Sequence, residues 1–499
     1  MKKIDLNDIE YLTFEGGGGK GIIYLGAIKA LEESLGVERL IDVLSDLDDD
    51  VRRPIKGISG ASAGAITAFM LSLGLSGEEI DNEIKTVVNK NYQTSLNDKY
   101  ALVIDNGDRL LPISGVNAAE TFLDPPNGFY RSVERGQRVF PYDTLAGINL
   151  ENFGANILKS FLEEEVINDP LIQRLFYRTG NKIKDAQMAG NYIHNFLYHR
   201  GLFSGFEIRF FFQSMMKKYL IDKYSEEFKR DYNYTFPKPE NITFYDFYKF
   251  TGVDLIISGT NISQQRPLFF SAYHTPDFPV TEAVAISMNI PIVFKPIYVD
   301  YDVDRNRDRE YNLFYKGLWG DGGMLNNFPI HAFDELKRKR MEFKGQQVVR
   351  ELGGTLYNSD VDFNQKTLGL LLGDKISNLK PTDREKSEEF PKRNIGVLGD
   401  YFADLFRTFM FSGSKGRIRN AVEDSFTIEL DSEKVGMLDF SHPDMDKMRA
   451  DFMKETINIL RDNEKKQIAR KIENEFRVRQ KNKLDAISDA YLLVSSIVN

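Results

Sequence analysis

Three glycine-rich motifs of this sequence contain residue types that could hold an anion or carry out a nucleophilic attack. Phe14–Gly26 reads FEGGGGKGIIYLG, Gly60–Gly64 reads GASAG, and Trp319–Gly323 reads WGDGG. A run of glycines exposes backbone N–H groups that can bind a phosphate, a dinucleotide or a developing oxyanion. The other two motifs place a serine, Ser62, and an aspartate, Asp321, among glycines. Each motif is short, so they have to be weighed together.

The GASAG motif fits the pattern G-x-S-x-G between a strand and a helix, the context that gives this pattern its catalytic meaning. Ser62 would stand on a sharp, strained turn. Gly60 and Gly64 would be glycines because side chains at these positions would collide. The helix that begins at Ala63 would direct the positive end of its dipole to the turn. The alternative interpretation is a turn of small residues that only packs closely.

The glycine run is open to three interpretations. Gly16, Gly18 and Gly21 match the dinucleotide-binding pattern G-x-G-x-x-G. That pattern also needs an acidic residue about 20 positions on, at the end of a second strand, and Asp42 lies in a helical or loop context instead. A Walker A loop is excluded because Gly21, and not Ser or Thr, follows Lys20. An oxyanion hole is the interpretation for which the sequence also offers a nucleophile.

Asp321 lies with Gly320, Gly322 and Gly323 at the end of a predicted strand. Its default interpretation is a turn, because Asp-Gly is a common turn dipeptide. The motif gains weight from its position after the glycine run and GASAG.

The elements around these motifs alternate between strands and helices. Strands are predicted at 11–14, 54–59, 253–262 and 366–373, and helices at 22–35, 66–73 and 280–288. Ser76 and Glu79 form a capping box for a further helix. This alternation predicts an α/β fold with a mostly parallel central sheet and helices on both faces. Helical insertions and a helical, charged region from Pro443 onward are also expected.

Composition excludes several classes of protein and site. The 499 residues include no Cys, which excludes disulfides and thiolate metal sites, and the net charge of -9 argues against a nucleic-acid partner. The N-terminus lacks the apolar stretch of a secretory signal, and no run of roughly 18 apolar residues predicts a transmembrane helix. No metal-binding motif is visible, so no metal and no cofactor are predicted, and activity is expected to be independent of calcium.

Taken together and in this order, the motifs resemble those of patatin-like phospholipases. EGGGGKG resembles the family's D-G-G-G-x-R-G oxyanion loop, GASAG its nucleophile elbow, and DGG with the following NNFP its catalytic aspartate block. The resemblance covers about residues 9–90 and 200–375. Glu15 and Lys20 depart from the family's Asp and Arg but keep the charge. Lysine lacks the bidentate fork of arginine, which weakens the case for a phosphate grip at that position.

The resemblance implies a three-layer α/β/α fold and a serine–aspartate dyad without a histidine. Ser62 would be the nucleophile and Asp321 the general base, with the N–H groups of Gly17 and Gly18, joined by those of Gly19 and Ala63, as the oxyanion hole. Supporting motif positions are Gly16, Lys20, Gly21, Gly60, Gly64, Gly322 and Gly323. The implied domains are a catalytic unit at 1–375, with an insertion at about 91–200, and a mostly helical extension at 376–499 packed on or beside it.

Two alternatives stay open at this point. A Ser-Asp-His triad would need a histidine after Asp321, and the candidates are His331 and His442, neither of which has a glycine-rich strand-end context. A non-catalytic module could instead use the glycine loop and Lys20 to bind an anion, a nucleotide or a lipid headgroup.

The implied substrate is a phospholipid or another lipid ester, met at a membrane surface. A cytoplasmic protein, peripheral at membranes, is expected, and export as an effector is left open. One face of a possible helix at 401–410 is apolar and is followed by cations, which is typical of an interfacial helix as well as of one packed on the core. The insertions leave room for a protein activator, and the charged C-terminal helices offer a surface for homo-oligomerisation.

Overall fold

The computed structural model describes residues 6–41, 55–85, 200–203, 205–300, 315–343, 346–354, 361–373, 426–432, 447 and 449–460. Asp42, His442, the possible helix at 401–410 and the predicted insertion up to residue 199 lie outside these residues. The strands are β1 (Tyr11–Phe14), β2 (Gly57–Gly60), β3 (Gly201–Phe203), β4 (Asp254–Asn261), β5 (Arg266–Phe270), β6 (Ile292–Phe294), β7 (Ile297–Asp300), β8 (Lys316–Asp321), β9 (Leu336–Phe343), β10 (Gln346–Gly353), β11 (Thr367–Gly373) and β12 (Thr427–Asp431).

The α-helices of the described residues are α1 (Ile23–Leu35), α2 (Ala63–Ser72), α3 (Gly77–Lys85), α4 (Phe206–Met216), α5 (Asp222–Tyr232), α6 (Phe244–Thr251), α7 (Val280–Ser287) and α8 (Gly323–Asn326). A helical segment at 449–460 follows near the C-terminus. Short 3-10 turns lie at Leu6–Asp8, Gly18–Ile22 and Pro239–Asn241, and a π-helical turn, Lys217–Ile221, joins α4 to α5.

The main sheet has the order β12-β11-β1-β2-β4-β8-β7, with β5 also paired to β4. The pairs β12–β11, β11–β1, β1–β2 and β2–β4 are parallel. The pairs that β4 makes with β5 and β8, and that β8 makes with β7, are antiparallel. The predicted α/β architecture with a mostly parallel sheet is confirmed, and its antiparallel strands cluster around β4.

The pairing of β4 brings the ends of β2 and β8 together. Ile257 pairs with Gly60 on one edge and with β5 on the other, and Gly259 pairs with Asp321 and with β5. Because β5 occupies one edge along both residues, β2 and β8 share the opposite edge. The two C-terminal ends therefore meet, one just before Ser62 and the other at Asp321.

Both faces of the sheet are buried, as is usual for parallel strands. On one face Phe14 packs edge-on against Tyr24 of α1, with ring centroids 5.1 Å apart. On the other face Tyr11 stacks on Phe333, with centroids 4.4 Å apart. Phe333 belongs to the segment after Asp321, so the chain that leaves the aspartate covers the second face of the sheet.

Helix boundaries agree with the local signals in the sequence. Helix α1 ends at Gly36, which has φ 67° and caps the helix in the left-handed conformation. Before α3, the Ser76 N–H donates to Glu79 Oε2 at 2.9 Å and the Glu79 N–H donates to Ser76 Oγ at 3.2 Å. The predicted capping box is therefore present.

The region after residue 375 contributes to the sheet, although the sequence predicts it to be mostly helical. Strand β12 pairs in parallel with β11, and Arg449 of the following helical segment forms an ion pair with Asp81 at 2.8 Å. The division of the chain at 375 stays a prediction, but the main sheet extends across that boundary. The antiparallel β9–β10 hairpin was not predicted either.

Candidate active site

Ser62 occupies a strained turn between β2 and α2. Its backbone has φ 51° and ψ -122°, and positive φ is uncommon for a residue with a side chain. A Cβ atom at Gly60 would lie 2.3 Å from the Gly64 carbonyl oxygen, and one at Gly64 would lie 2.3 Å from the Phe14 carbonyl oxygen. Both crowding partners are backbone atoms, which explains why both flanking positions are glycine.

The Ser62 hydroxyl donates a hydrogen bond of 2.8 Å to Asp321 Oδ2. The Gly323 N–H donates to the other carboxylate oxygen, Oδ1, at 2.6 Å. Ser62 is 2 % exposed and Asp321 is fully buried. The carboxylate is thus held from one side so that its second oxygen faces the serine.

Burial raises the pKa of Asp321 to about 7, because removal from water disfavours the charged carboxylate. The hydrogen bonds from the Gly323 N–H and from Ser62 act in the opposite direction but do not outweigh burial. A carboxylate with such a pKa is a stronger base than an exposed aspartate, and it is ionised above neutral pH.

The last residue of α7, Ser287, and Asn289 just after it bind the backbone on both sides of this pair. Ser287 Oγ accepts the Ser62 N–H at 3.0 Å, and the Ser287 carbonyl accepts the Gly322 N–H at 3.0 Å. The Asp321 N–H donates to the Asn289 carbonyl at 2.9 Å. The sequence analysis did not assign Ser287 to the site. This serine lies in the segment that leads up to the aspartate, and no glycine-rich motif surrounds it.

The glycine loop lies directly against the elbow. A Cβ atom at Gly16 would be 2.9 Å from Ser62 Cβ, and one at Gly21 would be 2.8 Å from Ala63 Cβ. Gly18 has φ 56° and begins the 3-10 turn Gly18–Ile22. The close approach of loop and elbow therefore depends on missing side chains.

Asn327 binds the start of the glycine loop from both its backbone and its side chain. Its carbonyl accepts the Gly16 N–H at 3.0 Å, and its Nδ2 donates to the Gly16 carbonyl and to Glu15 Oε1, each at 3.1 Å. Asn327 follows Asp321 by only a few residues. The aspartate block and the glycine loop are thus connected directly.

The charged ends of the loop, Glu15 and Lys20, contact the last strands of the sheet. Glu15 Oε2 accepts the Leu372 N–H at 2.7 Å, and Lys20 Nζ donates to Ser432 Oγ at 3.0 Å. Lys20 is only 5 % exposed. Its ammonium group is therefore directed into the protein, which weakens the interpretation in which Lys20 grips an anionic ligand.

Among the described residues, no acceptor binds the backbone N–H groups of Gly17, Gly18, Gly19 or Ala63. Gly18, Gly19 and Ala63 line a pocket together with Ser62. These three amides are thus available next to the serine hydroxyl. Gly17 is not part of the pocket lining, and its Cα faces the Leu372 side chain. Its assignment to the oxyanion hole stays a prediction.

The pocket beside Ser62 is apolar apart from the serine, the loop amides and Thr67. It has an empty volume of about 770 Å³, including solvent at its mouth. Its walls come from α1, α2, α3, α4 and the segment after α7. The apolar lining residues are Ile22, Leu25, Ile66, Met70, Ile80, Ile84, Phe211, Met288, Ile290 and Phe294.

His331 has a hydrogen-bond partner away from the serine. Its Nδ1 lies 2.8 Å from Asp334 Oδ2, and its ring packs edge-on against Phe363. His442 lies outside the described residues. Within the described part of the chain, the side chain that binds the Ser62 hydroxyl is Asp321.

In the described ranges no three His, Asp or Glu side chains come close enough together to hold a metal ion. No helix in the same ranges has the length and apolar character needed to cross a membrane.

A family model described as patatin-like phospholipase matches residues 12–334 of this chain. A probable lipid hydrolase, 463L, of Invertebrate iridescent virus 6 is 29% identical over 109 residues, which are 22% of this chain and 32% of that protein. The uncharacterized protein R571 of Acanthamoeba polyphaga mimivirus is 34% identical over 82 residues, 16% of this chain and 23% of that protein. The match therefore spans a third or less of each viral protein.

Two solved structures from bacteria are also similar. VipD from Legionella pneumophila has 15% sequence identity and a TM-score of 0.35, with 91% of this chain and 67% of VipD covered. The ExoU-SpcU complex of Pseudomonas aeruginosa has 14% identity and a TM-score of 0.29, with 92% of this chain and 52% of the matched chain covered.

Proposed function

The chain belongs to the patatin-like phospholipase family, and from this premise we propose that it is a serine lipid acyl hydrolase that cleaves acyl esters of membrane phospholipids. The observation that carries the proposal is the 2.8 Å hydrogen bond from the Ser62 hydroxyl to buried Asp321, in a strained turn beside an apolar pocket. Nucleophile, base and unbound amides lie together at one end of the sheet, as acyl transfer requires.

In the first half of the reaction, Ser62 Oγ attacks the ester carbonyl carbon while Asp321 takes the hydroxyl proton as general base. The carbonyl oxygen becomes an oxyanion and accepts hydrogen bonds from the N–H groups of Gly18, Gly19 and Ala63, with Gly17 as a further donor. The Ser62 N–H is bound to Ser287 Oγ and is not among these donors. Loss of one donor of this kind typically raises the barrier by about 3 kcal/mol.

Collapse of the tetrahedral intermediate breaks the bond to the leaving alcohol, and Asp321 returns its proton to that oxygen. A water molecule then gives a proton to Asp321 and attacks the acyl-enzyme. Collapse of this second tetrahedral intermediate breaks the bond to Ser62 Oγ and releases the fatty acid, and Asp321 returns its proton to Ser62 Oγ. In this cycle Asp321 is the one protein side chain that has to take up and return the proton, so the proposed mechanism uses only the two residues of the dyad.

The apolar pocket supports a fatty acyl group as the acid part of the ester. Its lining offers the hydrocarbon chain aliphatic and aromatic side chains, and burial of each methylene contributes roughly 0.8 kcal/mol. Among the described residues that line the pocket, the polar groups are the Ser62 hydroxyl, the loop amides and Thr67, whose hydroxyl donates to the Ala63 carbonyl within α2 at 3.0 Å. A charged or sugar-like acid part would find no partners there.

The test is mass spectrometry of a phospholipid mixture treated with wild-type protein or with Ser62→Ala. Wild type should release fatty acid and lysophospholipid, and Ser62→Ala should lower the rate by at least about 10³-fold. A matched control is Ser72→Ala, because Ser72 is also buried but its hydroxyl only binds the Ala68 carbonyl within α2. The control should keep the wild-type rate.

A serine-reactive fluorophosphonate probe separates the remaining outcomes. Labelling of wild type but not of Ser62→Ala, without release of fatty acid, would support an esterase with another substrate. Absence of both labelling and hydrolysis in folded wild-type protein would contradict the enzyme and favour a binding module. Repeating the assay with EDTA tests the expected independence of calcium. The rate of hydrolysis should be unchanged by EDTA and by Ca²⁺ added after it.

A further inference from the structure

The glycine loop is held at both charged ends by strands that lie far beyond it in the sequence. Glu15 Oε2 accepts the Leu372 N–H of β11 at 2.7 Å, and Lys20 Nζ donates to Ser432, the residue after β12, at 3.0 Å. Glu15, Lys20 and Ser432 are each 5 % exposed or less. In such buried surroundings a charged group depends strongly on its hydrogen-bond partners.

Packing adds to these hydrogen bonds. A Cβ atom at Gly17 would lie 2.3 Å from Leu372 Cδ1, so the Leu372 side chain packs directly against the loop at Gly17. The Tyr24 hydroxyl donates to the Glu15 carbonyl at 2.7 Å and lies 3.4 Å from the Leu370 carbonyl of β11. The amides of Gly18 and Gly19 are therefore carried by a loop whose two ends rest on β11 and β12.

We propose that Ser432 and the Leu372 amide are positioning groups for the oxyanion hole, and that the strands β11 and β12 are thereby part of the catalytic unit. Both groups lie beyond residue 334, where the match to the family model ends. The inference rests on the proposed acyl hydrolase function.

The two departures of the loop from the family pattern agree with this role. A glutamate at position 15 reaches one methylene further than an aspartate and bonds both Leu372 and Asn327. A lysine at position 20 brings a compact ammonium group to the Ser432 hydroxyl, whereas an arginine would bring a planar guanidinium of different geometry. Both loop ends therefore reach the strand residues that bind them.

The main test is Ser432→Ala, assayed with a soluble short-chain chromogenic ester so that lipid binding is not involved. A displacement of the loop amides by a fraction of an ångström weakens the interaction made in the transition state more than the binding of substrate. We expect kcat to fall about tenfold to hundredfold with KM nearly unchanged. Ser72→Ala, which removes a buried hydroxyl elsewhere, should leave both constants unchanged.

A second variant and a double-mutant cycle distinguish loss of this contact from general destabilisation. Ser432→Cys keeps the size but offers a weaker acceptor, so kcat should lie between those of wild type and Ser432→Ala. Lys20→Met combined with Ser432→Ala should cost about as much kcat as one of them alone, because they remove the same contact. Additive losses would contradict the proposal.

The outcomes for the two proposals are distinct. If wild type shows no Ser62-dependent hydrolysis, the proposed function is wrong. If wild type is active and Ser432→Ala matches Ser72→Ala in kcat, or loses activity only through a raised KM, the positioning role is wrong. A lowered melting temperature with kcat unchanged below the transition would likewise assign Ser432 to stability alone.

Discussion

The nucleophile elbow and the glycine loop meet at the same site but are held in place by different means. At the elbow, Gly60 and Gly64 allow a turn so tight that the crowding partners are backbone atoms, those of α2 for Gly60 and those of Phe14 and Glu15 for Gly64. At the glycine loop, side chains and amides from distant parts of the chain, Asn327, Leu372 and Ser432, hold the ends. The elbow's shape is thus set by steric crowding between backbone segments, and the loop's position by long-range hydrogen bonds.

The largest effect is expected for Asp321→Asn, which keeps the shape of the elbow and removes its base. We expect kcat to fall on the order of 10³-fold or more, because an amide cannot take the Ser62 proton. In wild type the activity should rise with pH through about 7 and then level off, since Asp321, with its pKa raised to about 7, must be ionised. A pH–rate profile of both proteins checks this, and a wild-type midpoint near 4 would contradict it.

The same substitution should stabilise the protein at high pH. A carboxyl group whose pKa is raised in the folded state binds a proton there that the unfolded state has lost, so stability falls as pH rises from about 4 to about 7. Asp321→Asn removes this penalty. Its melting temperature should exceed that of wild type at pH 8 and be similar to it at pH 4. An equal difference at both pH values would mean that Asp321 does not carry the titration.

Gly64→Ala should be the most damaging change to the shape of the elbow. The added Cβ would lie 2.3 Å from the Phe14 carbonyl oxygen and 2.7 Å from the Glu15 carbonyl oxygen, and neither backbone atom can move cheaply. We expect kcat to fall by about 100-fold and the melting temperature to drop by several degrees, as for a displacement of about 1 Å with overpacking.

Gly77→Ala is the matched control for this prediction. Gly77 is the first residue of α3, and its added Cβ would lie 3.2 Å from the Ile28 side chain, 3.2 Å from the Leu25 carbonyl oxygen and 3.4 Å from the Lys29 nitrogen, all farther than the atoms that crowd Gly64. It should keep the wild-type kcat. If Gly64→Ala behaved like Gly77→Ala, the steric account of the elbow would be wrong.

These two regions also mark what could be predicted from the sequence. The elbow was predictable because G-x-S-x-G is a pattern of five consecutive residues, even though the atoms that crowd Gly64 belong to Phe14 and Glu15. The long strands β4 and β11 were predictable because each contains a short apolar run, LII in β4 and LLL in β11. By contrast, the partners of the loop are 311 residues away for Gly16 and Asn327 and 412 residues away for Lys20 and Ser432. Without the fold, no pattern links such positions.

The missed strands have a related cause. β12 reads TIELD, whose alternation of apolar and polar residues spans only five positions, and β9 reads LKRKRMEF, in which charged residues interrupt the apolar alternation by which strands are recognised. In the structure Ile428 and Leu430 of β12 are buried, while Arg338 and Arg340 of β9 are exposed. Pairing with β11, more than 50 residues earlier in the chain, decides the first case, and pairing with the adjacent strand β10 in a hairpin decides the second.

A smaller effect is expected where the loop is held by the aspartate block. Asn327→Ala removes the two side-chain bonds to Gly16 and Glu15 but leaves the backbone bond to Gly16 in place. We expect a fall in kcat of about tenfold, because part of the support for the loop remains. Asn364→Ala is the control, since its amide fastens the Phe333 carbonyl away from the site. Equal kcat values for the two variants would mean that the Asn327 side chain does not support the oxyanion hole.

The smallest effect should come from Ser287→Ala, which tests whether the elbow also depends on a distant partner. The variant leaves the buried Ser62 N–H without its 3.0 Å acceptor, but the glycines still enforce the turn. An unmet buried amide costs roughly 1–3 kcal/mol, and most of this should appear as lower stability, with kcat reduced only a few-fold. Because Ser287 bonds the backbone of Ser62 and Gly322 rather than the Asp321 carboxylate, the midpoint of the pH–rate profile should stay near 7. A shifted midpoint would mean that Ser287 acts on the base, and a loss as large as that of Gly64→Ala would show that the elbow, like the loop, is held from a distance.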